Sequence, residues 1–138
     1  MIKRLLLAAS VLGFMAVALG ALGAHKLKEI ISATNLDIFE KGVTYQFYHV
    51  SAMIAAAILL HLYGNKRFYH AGMFFFAGII CFSGSLYLLA LRDVYVTGAN
   101  QFSDIIPTVI IGPITPIGGL LFLTGWVLLL SGVLKIKS

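Results

Sequence analysis

Four long apolar runs separated by polar connections set the pattern of this chain. The first covers residues 5–24 and follows Lys3 and Arg4; the others cover about 44–63, 68–91 and 112–134, and none contains Asp, Glu, Lys or Arg. At a rise of about 1.5 Å per residue, each is long enough to cross the roughly 30 Å hydrocarbon core of a bilayer. The pattern predicts an all-α, polytopic integral membrane protein: four transmembrane helices in an antiparallel bundle, forming one membrane domain over residues 1–138. Only Gly64 to Arg67 separate the second run from the third, so those two helices are expected to form a tight hairpin. The first run also carries signal-peptide features, with Ala21 and Gly23 as a small-residue cleavage site. It exceeds the roughly 7 to 15 apolar residues of a signal, and a retained helix is expected.

Two longer connections remain. From His25 to Val43, the apolar residues Leu27, Ile30, Ile31, Leu36, Phe39 and Val43 recur at helical spacing among charges. Thr34 with Asp37 fits a capping box, predicting a helix that either lies at the interface or continues the second span outward. The other connection, Asp93 to Ile111, is apolar but broken by Pro107 and, just beyond it, Pro113, and is expected to dip into the interface.

Composition narrows the function classes. Of the 138 residues, 60% are hydrophobic and 11% charged, and the mean hydropathy is +0.98, far from the balance of a water-soluble domain. The formal charge of +5 does not signal a nucleic-acid partner, because Lys and Arg are scattered at the ends of apolar runs and form no basic stripe. Topology accounts for them better. Four crossings put both ends of the chain on one side with the 64–67 turn, gathering Lys3, Arg4, Lys66, Arg67, Lys135 and Lys137. The opposite side receives Lys26, Lys28, Lys41 and Arg92 with all five acids, Glu29, Asp37, Glu40, Asp93 and Asp104. By the positive-inside rule the termini are expected to be cytoplasmic. A lone cysteine, Cys81, supports neither a disulfide nor a multi-cysteine metal cluster.

Placed by depth, the polar residues converge. Gln46 and His49 lie in the outer part of the second run, with Tyr45 beside them; Ser83 and Ser85 lie in the outer half of the third; Thr115 lies in the first turns of the fourth, and His25 ends the first. A polar group in hydrocarbon must find a partner, since each unmet one costs several kcal/mol. Gln46 and His49 are therefore expected to face the bundle interior. Their expected partners are the hydroxyls of Ser83, Ser85 and Thr115, and carbonyls freed where Pro113 and Pro116 interrupt the start of the fourth helix. Gly20, Gly23, Gly84, Pro116, Gly118 and Gly119 are candidate helix-packing positions, and Ala9, Gly13, Ala16, Gly20 and Ala24 form a small-residue stripe. Two readings stay open: structural hydrogen bonding that holds four helices in register, or a small polar pocket open to the outer side. A metal site is not expected, because His25 and His49 lack a third ligand and Cys81 lies too deep. No catalytic set is visible either, as no carboxylate lies within a span. His61 and His70 belong to the other side, near the short turn. No cofactor is indicated.

Four ordered segments, GALGAHKLK at 20–28, YQFYH at 45–49, FSGSLYLLAL at 82–91 and ITPIGGLLFLTGW at 114–126, resemble the family called domain of unknown function 423, also known as uncharacterised protein family 0382. These are small bacterial inner-membrane proteins, with relatives in eukaryotes including transmembrane protein 256. The resemblance implies a four-helix protein of the bacterial inner (plasma) membrane and supplies no activity. The family pattern falls here on Gly23, Ala24, His25, Tyr45, Gln46, His49, Ser83, Gly84, Ser85, Thr115, Pro116, Gly118, Gly119 and Trp126. This chain departs from it in a longer connection over residues 94–111.

Three function classes follow. The preferred one is a structural or accessory protein that supports membrane integrity or a membrane complex and is not an enzyme. The second is a transporter or channel subunit acting as an oligomer. The third is a lipid- or quinone-handling enzyme using His49. The partners expected are the lipid bilayer and either a second copy or another membrane protein.

Overall fold

The computed structural model describes residues 1–92, 94 and 108–136, and its regular structure is helical throughout. Helix α1 runs Ile2–His25, followed by a single 3-10 turn, Leu27–Glu29. Helix α2 runs Ala33–Tyr63, α3 runs Lys66–Gly78, a π-helical segment covers Ile79–Ser83, α4 runs Gly84–Ala90, and α5 runs Thr108–Val133. Four helical stretches are long and apolar enough to cross a membrane: Ile2–Glu29, Ala33–Tyr63, Lys66–Ala90 and Ile111–Val133. Asp93, Asp104, Pro107, Lys137 and residues 95–107 of the connection expected at the interface lie outside the described residues, while residues 108–111 of that connection open α5.

Two helix starts differ from the apolar runs. Helix α2 begins 11 residues before the run at Thr44, so the amphipathic connection continues the second span. Its cap is Ser32 and not Thr34: the Ser32 hydroxyl accepts the Asn35 backbone N–H at 3.2 Å. Exposed Asp37 and Lys41, paired at 2.7 Å one turn apart, mark the part of α2 that suits water. Helix α5 begins at Thr108 and carries Pro113 and Pro116 inside it. These prolines leave the carbonyls of Val109 and Gly112 without their helical donors, yet the helix continues through both. The hairpin turn is tighter than the expected 64–67 segment. Gly64, at φ 64°, ends α2 in the left-handed conformation, and Asn65 caps α3 by accepting the Arg67 N–H at 3.1 Å.

Glycines set how closely the helices approach. Gly13 meets Val50, Gly20 meets Val43 and Gly23 meets Phe39, so the small-residue face of α1 packs on α2 within this chain. Ala9 and Ala16 are buried on that face, whereas Ala24 is exposed. Along α5 the sockets are reciprocal: Phe68 fills the space at Gly132, Phe75 that at Gly125, Phe122 that at Gly78, and Gly118 lies against the Phe82 backbone. In each pair the two residue numbers sum to 200, and so do those of Ser85 and Thr115, which hydrogen-bond at 2.7 Å. One antiparallel register thus runs the length of the third and fourth spans, with the alternating three- and four-residue steps of a left-handed helix pair.

The core has two parts. Leu5, Ala9, Leu12, Val50, Met53, Ala56, Phe75 and Phe122 belong to one apolar cluster, while Leu27, Ile31, Phe39, Val43 and Ala90 form another near the opposite end. Between Val43 and Val50 on α2 lie Gln46 and His49. The polar residues occupy the seam between the two clusters.

Candidate functional site

Helix α2 supplies the centre of the seam. Gln46 and His49 are 2% and 6% exposed, so both face inward. Three residues apart, they differ by about 60° around the helix, enough to address different neighbours. The Gln46 amide donates to the Leu12 carbonyl of α1 at 2.7 Å, and its oxygen accepts the Tyr87 hydroxyl of α4 at 2.8 Å. Leu12 keeps its place in the α1 helix, since a carbonyl has two lone pairs. One side chain therefore ties three helices.

His49 faces α5. Its Nδ1 lies 2.8 Å from the Tyr45 carbonyl, which can only accept, so Nδ1 carries the hydrogen and Nε2 accepts the Trp126 indole N–H at 3.4 Å. The imidazole also stacks on Phe122, with ring centroids 3.4 Å apart and planes within 7°. Phe122 is itself seated over Gly78.

The hydroxyls form a separate group. Ser85 donates to the Phe82 carbonyl at 2.8 Å, which spends its single hydrogen, so Thr115 is the donor in their 2.7 Å contact. Ser83 is fully buried, and its Oγ has no hydrogen-bond partner among the described residues. It closes the π segment, where the Gly84 N–H reaches back to the Ile79 carbonyl. Wide turns of this kind often occur at functional positions.

The expected convergence is thus partly met. Gln46, His49, Ser83, Ser85 and Thr115 are brought to one zone of the bundle, but Gln46 and His49 do not bond to the serine and threonine hydroxyls. The chain's own backbone and two unanticipated aromatics, Tyr87 and Trp126, take that role. A phenol and an indole N–H within apolar runs each need an acceptor, a signal that points to both. His25 is not in the cluster: it is exposed at the end of α1, 13 residues or about 20 Å along the helix from Leu12. The zone lies eight residues inward of exposed Lys41 on α2. His49 lies 16 residues from Ala33 and 14 from Tyr63, near the middle. Of the candidate packing positions, Gly20, Gly23 and Gly118 make close approaches; Gly84 and Gly119 face open space, and Pro116 is exposed.

Pro116 and Gly119 instead border a groove of about 620 Å³ between α2 and α5. Its wall includes Tyr45, His49, Phe82, Phe122 and Trp126. Tyr45 is 41% exposed and packs on Phe82 with centroids 4.7 Å apart. The pocket expected to be polar is therefore lined mainly by rings. Chemically the arrangement offers hydrogen bonding and stacking. The partners of His49 are a carbonyl and an indole, with no serine between them, and among the described residues no three His, Cys, Asp or Glu side chains come together.

The family model described as "Protein of unknown function (DUF423)" matches residues 19–119, which carry Tyr45, Gln46, His49, Ser83, Tyr87 and Thr115. The chain belongs to the DUF423 family. This DUF423 chain is 41% identical over 122 residues to a UPF0382 membrane protein of Staphylococcus saprophyticus, covering 88% of this chain and 89% of the relative. It is 34% identical over 135 residues to the UPF0382 inner membrane protein YgdD of Escherichia coli K12, covering 98% and 92%. No solved structure matches. With four long apolar helices and relatives named as membrane proteins, this DUF423 chain is an all-helical membrane protein. Leu12, Phe122 and Trp126, which complete the partners of Gln46 and His49, fall outside the matched segment.

Proposed function

We propose that this protein is a non-enzymatic accessory protein of the bacterial inner membrane, supporting membrane integrity or a larger membrane complex. The observation that carries this reading is the pairing inside the bundle: Gln46, His49, Ser85, Thr115 and Tyr87 all have partners, from both backbone and side chains. Groups so engaged hold helices in register, and the nearest described carboxylate along α2, Glu40, is exposed nine residues before His49. The inner-membrane location is supported by the name of the Escherichia coli relative. Cytoplasmic termini are supported by the larger number of cations on the terminal side, Lys3, Arg4, Lys66, Arg67, Lys135 and Lys137, against Lys26, Lys28, Lys41 and Arg92 on the other.

The test is complementation. A strain lacking the gene should lose membrane potential or detergent resistance under envelope stress. A His49→Gln chain should restore either property in proportion to the amount of folded protein. A variant that folds to wild-type levels yet restores nothing would overturn the structural role of the histidine. That result would favour the second reading, a lipid- or quinone-handling role, for which the lateral groove at His49 and Trp126 is the supporting feature.

A further inference from the structure

A second cleft lies at the end of the bundle where the chain termini meet the α2–α3 turn. It has a volume of about 250 Å³ and runs between α1 and α3. Leu5 of α1 drops into the space left by Gly72 of α3, with its Cδ1 2.7 Å from where a Cβ would stand, and this contact closes the floor. Arg4 and Ala8 form one wall, Tyr69, Met73 and Phe76 the other, and Met53 of α2 lies at the back.

The lining is ordered by depth. Arg4 is in the first turn of α1, and Ala8 is one turn, about 6 Å, further in. Tyr69 is in the first turn of α3, while Met73 and Phe76 follow on the same face at four and seven residues, up to about 10 Å deeper. A guanidinium and a phenol therefore stand at the mouth of a cleft whose inner part is apolar. The acids are one-sided, while the other end also carries Lys26, Lys28, Lys41 and Arg92. Lys3, Arg4, Lys66, Arg67 and Lys135 lie at this end, and the described acids, Glu29, Asp37 and Glu40, all lie at the other. Arg67 is occupied, donating to the Ser131 carbonyl at 3.1 Å. Arg4 is exposed, with no acid near its end among the described residues.

From this juxtaposition we infer that the α1–α3 cleft binds an anionic phospholipid of the surrounding leaflet, its phosphate at Arg4 and part of one acyl chain along Ala8, Met73 and Phe76. A planar guanidinium suits a phosphate diester, and basic pockets between membrane helices recognise such headgroups. A zwitterionic lipid carries its own cation and gains less from an end of the bundle that is uniformly basic. The inference depends on the protein being in a membrane and on neither the orientation of its termini nor the role of His49.

The test uses the purified full-length chain in a neutral detergent, titrated with phosphatidylglycerol, phosphatidylcholine or glycerol 3-phosphate, and followed by melting temperature and by native mass spectra of the singly lipid-bound species. Phosphatidylglycerol should raise the melting temperature saturably, with the other two having little effect. Arg4→Gln should weaken binding about five-fold, the loss expected for one interfacial cation. Met73→Trp, at a position 41% exposed, should obstruct the apolar part and weaken binding with Arg4 intact. Lys135→Gln at the same end should leave affinity unchanged. Equal binding of both phospholipids, equal loss in Arg4→Gln and Lys135→Gln, or stabilisation by glycerol 3-phosphate matching that by the lipid would each overturn the inference. The mass spectra keep the comparison valid for a variant that melts early.

Discussion

Replacing Gln46 by leucine tests whether the seam is held by hydrogen bonds. The substitution places an apolar side chain of similar volume in a position 2% exposed, and it removes two contacts, to the Leu12 carbonyl and the Tyr87 hydroxyl. At about 0.6 kcal/mol per interhelical hydrogen bond, the direct loss is about 1 kcal/mol. The Leu12 carbonyl keeps its place in α1 and adds nothing. The Tyr87 hydroxyl is different, because it is left half-buried without its acceptor, at a cost of about 1 to 3 kcal/mol. The total for Gln46→Leu is therefore about 2 to 4 kcal/mol. Tyr87→Phe alone leaves the Gln46 oxygen unpaired and should cost about 1 to 3 kcal/mol. The double variant has neither orphan, and its phenyl ring retains both the Phe39 contact at 4.9 Å and the fit over Gly42. It should lose only the bonds themselves, about 1 kcal/mol, far less than the sum of the single losses. Equilibrium unfolding in mixed micelles, titrated with a denaturing detergent, measures all four corners of the cycle. Additive losses, or a Gln46→Leu chain as stable as the parent, would refute the hydrogen-bonded seam.

Other substitutions separate packing from pairing. Gly118→Ala drives a methyl against the Phe82 backbone, 2.7 Å from its Cα, and should destabilise by about 1 to 3 kcal/mol or more; the neighbouring Gly119→Ala meets open space and should melt with the parent. Ser83→Ala removes a buried hydroxyl that has no partner among the described residues and should raise stability by about 1 kcal/mol or more, whereas Ser85→Ala strands Thr115 and should cost about 1 kcal/mol, both read from thermal melts. For topology, a fluorescent reporter fused after Ser138 should be active and a periplasm-dependent phosphatase fused there should be silent; the reverse would refute cytoplasmic termini.

How much of this was legible in the chain depended on the kind of interaction. The helices are legible because an apolar run of about 20 residues has few alternatives in a bilayer. Their ends are less so. Asp37, Glu40 and Lys41 end the apolar run of α2 without ending the helix, which continues to Ser32 because charged side chains on the watery part of a helix do not oppose it. Pro113 and Pro116 read as interruptions, yet α5 contains both. Nothing local in IICFS announces the π segment. The seam residues were legible by depth, because polar groups in apolar runs are conspicuous. Their partners were not, because depth fixes height along the axis and leaves rotation about it free. Gln46 turns toward α1 and α4 while His49 turns toward α5, a choice of neighbours that a single sequence does not fix.

That division of contacts explains how four helices hold one arrangement in a solvent as apolar as themselves. Lipid provides no hydrophobic reward for helix association, so close backbone approach and polar pairing must specify it. Here both devices act in each half: glycines of α1 also seat α2, and Ser85 with Thr115 also joins the third span to α5. Gln46 joins α1, α2 and α4 by hydrogen bonds, while Phe68, Phe75 and Phe122 lock α3 to α5 through glycines in a single register. Helix α5 packs on α3, the π segment and α4, leaving the groove between it and α2. Across that groove the link is largely side chain: His49 on Phe122, the Trp126 indole on His49, and Tyr45 near Phe122. The histidine thus sits where the two packing systems meet. Its burial and its two nitrogen partners follow from that position.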